Sequence, residues 1–195
     1  MTPPTEKSRG PRERADAARN RERVLRAAER LFTERDPVTV TMEDVARAAG
    51  VGRATLYRRY PDPAAIAVAL LDEHEHALQE RLISGPPPLG PGAPAADRLA
   101  AFYAAMVDLL EHHLPLALGA ETGSARFAIG AYGFWRTHVH ALLVDAGVPF
   151  EDATVDALLA PLAPELYRYQ RFERNQSPAQ VTGALRRLAE RMLTG

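Results

Sequence analysis

The chain has 195 residues, no cysteine and a formal net charge of −1. Without cysteine there is no disulfide scaffold, thiolate nucleophile, Cys-ligated zinc or iron–sulfur cluster. The composition, 46% hydrophobic and 25% charged, is that of a globular chain long enough to bury a core. The small net charge conceals a division. Residues 1–60 hold 14 Lys+Arg against 9 Asp+Glu, a balance of +5, and residues 61–195 hold 10 against 16, a balance of −6. Such asymmetry points to two parts facing different partners. No secretory signal pattern opens the sequence, and no apolar run approaches the ~20 residues that span a bilayer. A cytoplasmic chain without a membrane partner is expected.

Residues 1–17 are polar and punctuated by Pro3, Pro4, Gly10 and Pro11, which predicts a disordered arm carrying Arg9, Arg12 and Arg14. Val24, Leu25, Ala28, Leu31 and Phe32 then share one face of a first helix. Thr41-Met42-Glu43-Asp44 matches a capping pattern and starts a second helix, with Gly50 placed to end it. Residues 53–59 form a short third helix with Leu56 inward. Asp62-Pro63 supplies an N-cap and a first-turn proline for a fourth, running to about Ile83. Residues 84–95 contain five Pro and three Gly, which predicts a flexible loop or linker.

Every later segment reads helical, so the fold class is all-α with about nine helices and no strand. Leu99, Phe102, Tyr103, Met106, Leu109, Leu110 and His113 share a face. Phe127, Ala131, Phe134, Trp135, His138, Leu142 and Leu143 share another, closed by Gly147 and Pro149. Val155, Leu158, Leu159, Leu162 and Leu166 begin a long helix through Tyr169 that Pro161 and Pro164 should kink. Val181, Leu185, Leu188 and Met192 line a last helix capped by Ser177-Pro178. The expected organisation is an arm (1–17), a helix-turn-helix head (18–62) and a helical body (63–195).

Helix, glycine turn and short helix is the helix-turn-helix arrangement. On the third helix Arg53, Thr55, Tyr57, Arg58 and Tyr60 are expected outward. Arg reads guanine or phosphate, Thr meets phosphate or a thymine methyl, and Tyr adds a hydroxyl and a ring. No acidic residue lies between Arg47 and Tyr60 to repel a duplex. The run Thr41 to Pro61 resembles the DNA-binding signature of the TetR family of bacterial transcriptional regulators. The resemblance covers residues ~19–83 and implies a DNA-binding head, a connecting fourth helix and a ligand-binding, dimerising body. It implies DNA-binding roles for Thr41, Gly52, Arg53, Ala54, Thr55, Tyr57, Arg58 and Tyr60. Two departures stand out: Gly52 replaces the family's usual Ser or Thr, and the start of the fourth helix lacks its usual lysine.

In the body, Phe102, Met106, Trp135 and His138 are the candidate lining of a pocket for a small apolar or aromatic ligand. Leu158, Leu162, Leu166, Leu185, Leu188 and Met192 are the candidate dimer interface. The histidines lack metal-ligand spacing on any one helix, so no metal and no cofactor is expected. Neither a G-x-S-x-G nor a glycine-rich phosphate loop occurs, which argues against an enzyme. The expected function is a homodimeric repressor that binds a palindromic operator in double-stranded DNA and is released by a small molecule. The alternatives are an activator or ligand-independent repressor of the same fold, and more remotely a His-dependent helical enzyme.

Overall fold

The computed structural model describes residues 11–35, 39–120 and 130–193. These residues are helical with no strand among them, and the chain divides into two compact units, Met1–Leu70 and Leu71–Gly195.

In the first unit, α1 (Pro11–Glu34) packs on α2 (Met42–Ala49), and α2 packs on α3 (Arg53–Tyr57). Val24, Leu25, Ala28 and Leu31 from α1 are buried, as are Met42, Val45, Ala46 and Ala49 from α2 and Leu56 from α3. This is the expected period-3.6 face. The expected arm is shorter, because α1 already begins at Pro11 and residues 11–17 are helical. Pro suits a first helical turn, where its missing N–H has no partner to lose. Arg9 and the side chains of Arg12 and Arg14 lie outside the described residues.

The division falls inside α4 (Pro63–Ser84), between Leu70 and Leu71, two turns beyond the expected boundary. Asp62 caps this helix, its Oδ1 accepting from the Ala65 N–H at 2.8 Å. The Pro/Gly-rich segment that follows is non-helical, as expected, yet it is neither a linker nor loose. It lies within the second unit, Leu89 and Gly90 are buried, and the Gly90 N–H donates to the Pro86 carbonyl at 3.0 Å. A Cβ on Gly90 would stand 1.8 Å from the Gly85 carbonyl oxygen, so two chain strands meet there at glycine distance.

The second unit is built on α5 (Ala95–Ala120). Against it pack α6 (Gly130–Asp145), α8 (Pro164–Arg168) and, along most of its length, α9 (Pro178–Leu193). Between α6 and α8 lie α7 (Asp152–Leu159) and a 3-10 turn, Ala160–Leu162. The two prolines break this helix rather than bend it. Ala163, preceding Pro164, is forced to an extended conformation at φ −62°, ψ 128°. A π turn, Tyr169–Glu173, follows α8. Ser177 caps α9 as expected, and the cap is reciprocal: its Oγ accepts from the Gln180 N–H, and Gln180 Oε1 accepts from the Ser177 N–H.

Tyr103 and Tyr167 are the largest fully buried side chains here. The Tyr103 hydroxyl donates to the Leu158 carbonyl at 2.9 Å, and burial pushes its pKa above the ordinary tyrosine range. The Tyr167 hydroxyl donates to Glu111, which Arg171 also grips through Nε and Nη2, both at 2.7 Å. Those bonds, Arg171 first, pull the Glu111 carboxyl down to about 2. This knot ties the middle of α5 to α8 and the π turn. No helix of the described residues is long and apolar enough to cross a membrane.

Candidate nucleic-acid interface and ligand cavity

The turn between α2 and α3 is fixed from both sides by local chemistry. Thr41 Oγ1 accepts from the Asp44 N–H at 3.2 Å, and Asp44 Oδ2 accepts from the Thr41 N–H at 3.2 Å, closing a capping box. The Thr41 hydroxyl also donates to Asp44 at 2.7 Å. These bonds, ahead of the nearby Arg47, hold the Asp44 carboxyl below its ordinary range. At the other end Gly50 adopts φ 61°, ψ 39°, the left-handed region that glycine enters without a Cβ penalty. The Val51 N–H reaches back to the Ala46 carbonyl at 3.0 Å. Arg23 of α1 donates to the Gly50 carbonyl at 2.9 Å, which anchors the turn to the first helix.

This brings Arg53, Ala54, Thr55, Tyr57 and Arg58 onto one exposed surface, with Leu56 buried behind them. Tyr57 is 51% exposed, a large ring left in solvent. Gly52 is the N-cap of α3 and offers no side-chain bond, as its identity dictates. Thr41 is exposed at the start of α2 with its hydroxyl committed to Asp44.

One expectation about this surface fails. Tyr60 is 6% exposed, so it is buried rather than turned outward. It follows Leu56 by four positions, which puts it on the buried side. The stretch from Arg47 to Tyr60 holds no acid, yet one reaches it from outside, because Arg53 Nη1 lies 2.6 Å from Glu43 Oε1 of α2. That partner comes from the preceding helix and is invisible to a scan of the recognition helix alone. Arg58 has no ion-pair partner among the described residues. An open cleft of about 710 Å³ flanks α3 on its α1 side, with Asn20, Arg21, Thr55 and Arg58 among its walls.

In the second unit the four candidate ligand residues cluster but do not all line one space. The Phe102 ring sits 5.6 Å from Trp135 and 5.3 Å from His138. Met106 and Trp135 line a cavity of about 40 Å³; Phe102 and His138 lie outside its lining. Burial brings the His138 pKa down to about 4, so the ring is neutral near pH 7. The cavity has two polar lining residues outside the four candidates, Tyr132 and Glu75. Glu75 was detectable. Leu71, Glu75, Leu78 and Leu82 fall at i, i+4, i+7 and i+11, so the glutamate interrupts an apolar helix face.

The candidate dimer face is largely consumed inside the chain. Leu158, Leu162 and Leu185 are buried, Leu188 and Met192 are half-buried, and only Leu166, at 38%, is exposed. The breadth of apolar surface that suggested a partner covers α5 instead. The exposed apolar side chains of this region are Leu166, Tyr169 and Phe172.

Comparison with known proteins gives the same two-part picture. Residues 24–70 match the family model described as bacterial regulatory proteins, tetR family. An uncharacterized HTH-type transcriptional regulator of Mycobacterium tuberculosis is 42% identical over 62 residues, which is 32% of this chain and 31% of that protein. The chain thus matches less than a third of that relative's length. Among solved structures, a TetR transcriptional regulator from Rhodococcus sp. RHA1 superposes with a TM-score of 0.61 at 20% identity, over 93% of this chain and 98% of that one. A complex of SmeT with triclosan superposes with a TM-score of 0.60 at 14% identity, over 88% and 90%. At such identities the structural likeness establishes the fold.

Proposed function

We propose, for a chain that by its head and its fold belongs to the tetR family of bacterial regulatory proteins, a DNA-binding transcriptional repressor. It acts as a homodimer on a palindromic operator and is released by a small molecule. The observation that carries the reading is the α2–α3 pair. Its turn is locked by a capping box and a left-handed glycine, and it presents Arg53, Thr55, Tyr57 and Arg58 together.

A five-residue recognition helix makes few contacts, so one head alone binds weakly. Two heads related by a two-fold axis engage half-sites ~34–36 Å apart or a multiple of that spacing. Leu166, Tyr169 and Phe172 supply exposed apolar surface for pairing. The small-molecule step is supported by the aromatic cavity of the body and by the triclosan complex of SmeT. To act, the ligand must bind the DNA-free state better than the DNA-bound state. The relatives and structural neighbours are transcriptional regulators, which favours a regulator over an enzyme.

Selection from random duplex DNA tests this. The expected result is enrichment of a palindrome with binding that weakens steeply as salt rises. Enrichment of no palindrome contradicts it.

A further inference from the structure

We propose that the second unit binds a late first-row divalent metal ion, zinc or its neighbours nickel and copper, with His74 of α4 and His113 of α5 as ligands. This goes beyond the proposed repressor and does not depend on it.

No single helix carries metal-ligand spacing, but two neighbouring helices together do. The His74 and His113 rings stack with centroids 3.8 Å apart and planes 20° from parallel. A ring nitrogen of each lies within 4.8 Å of one on the other. A tetrahedral ion about 2.0–2.1 Å from each nitrogen needs them roughly 3.3 Å apart, so a small splay of the rings closes on it. His112 sits beside them, its ring 6.3 Å from that of His113. The His112 Nδ1–H donates to the Asp108 carbonyl at 2.8 Å, the kind of bond that fixes a ligand imidazole's tautomer and leaves Nε2 with the lone pair. The three rings and Asp108 line one open cleft of about 360 Å³, with Arg81 also on its wall. The opening leaves coordination positions to water, as zinc sites that are not closed by protein do.

The convergence of these rings follows from a break in α5. Adjacent side chains on a regular helix point about 100° apart, yet His112 and His113 line the same cleft. His113 leaves helical geometry at φ −127°, ψ 21°, two residues before Pro115. Pro115 has no N–H for the helix ladder and crowds the preceding turn.

The donor set decides the class of metal. Imidazole suits zinc, nickel and copper, whereas magnesium and calcium take oxygen ligands. The chain has no cysteine, so no thiolate is present to favour a softer ion. Burial, ahead of the neighbouring His74 and His112, brings the His113 pKa down to about 4. That ring is therefore neutral near pH 7 and has no proton to give up to a metal. The surrounding field favours a cation too, because residues 71–195 hold 10 Lys+Arg against 15 Asp+Glu.

Isothermal titration calorimetry of the untagged full chain, stripped with a chelator, tests this with zinc chloride. One zinc ion per chain is expected to bind saturably, and magnesium chloride is expected to give no binding heat. His74→Ala and His113→Ala are each expected to weaken zinc at least tenfold. His140→Ala removes a histidine that does not line the cleft and is expected to leave zinc binding unchanged. No saturable zinc binding, equal binding of magnesium, a smaller loss in either cleft variant, or an equal loss in His140→Ala overturns the proposal. Circular dichroism checks that the variants keep their helices. If they do not, the parent chain decides: zinc should shield His74 and His113 from diethyl pyrocarbonate, read by peptide mass spectrometry, and shielding of neither overturns the proposal.

Discussion

The head and the body differ in how function is written into them. In the head, the side chains proposed to face DNA are exposed, and short-range caps, with Arg23 of α1 on the Gly50 carbonyl, set the turn that places them. In the body, the candidate ligand residues sit on packed faces of α5 and α6, and the small cavity there is lined from α4, α5, α6 and α8. The head is therefore a surface display with little core behind α3, and the body is a packed core.

The largest predicted effect attacks the display through its support. Leu56 is the one buried residue of α3, and Leu56→Ala should cost about 2–5 kcal/mol, as truncations at fully buried leucines do. Chemical denaturation followed by circular dichroism measures it, and DNA binding should fall with it. Trp135 reports the body separately in the same experiment. A Trp135 transition that shifts as far as the helical signal would show the two units melting as one and erase the contrast drawn here.

A smaller effect tests the body's main polar knot. The Glu111 carboxyl is held at about 2 against an ordinary 4.5. A depressed carboxylate contributes stability that is complete above its unfolded value and is lost as pH falls toward the folded one. Glu111 and Arg171 are partly solvent-exposed, so the contribution is screened and modest. Glu111→Gln should lower the melting temperature at pH 7, and the gap from the parent should narrow steadily below about pH 4.5. A gap independent of pH refutes the ion-pair account.

The smallest effect sharpens the head. Gly52 has extended geometry, φ −67°, ψ 139°, and an added Cβ meets nothing closer than Thr55 Oγ1 at 3.9 Å. Gly52→Ser therefore adds the missing cap hydroxyl without strain and should stabilise by a few tenths of a kcal/mol. Thermal melting detects this as a small upward shift. A downward shift means the hydroxyl does not reach the α3 N–H groups.

The same contrast explains what the sequence made legible. The Thr41 cap, Gly50, Asp62 and Ser177 act within three or four residues of themselves, so their roles could be read directly. Tyr60 and Glu75 were readable in principle from helical period, one four residues after Leu56 and the other four after Leu71. Residue type pointed the other way in both, since a tyrosine beside two arginines suggests DNA and a glutamate suggests solvent. The Glu43–Arg53 pair and the covering of Leu158, Leu162 and Leu185 depend on which helices meet, and no spacing rule supplies that. The proline-rich segment misled for a related reason: proline and glycine exclude helix, but they also permit the close approach of Gly90 to Gly85.

The central claim is that the exposed face of α3 binds DNA, and Arg58 is its most direct probe because no acidic side chain among the described residues pairs with it. Binding of the parent and of Arg58→Ala to the selected palindrome should be compared at several salt concentrations. The predicted result is a loss of about 1–3 kcal/mol, with relaxed specificity at one base pair if Arg58 reads a base, or a salt slope reduced by about 1 if it holds a phosphate. Equal affinity of the two proteins at every salt concentration would contradict the account.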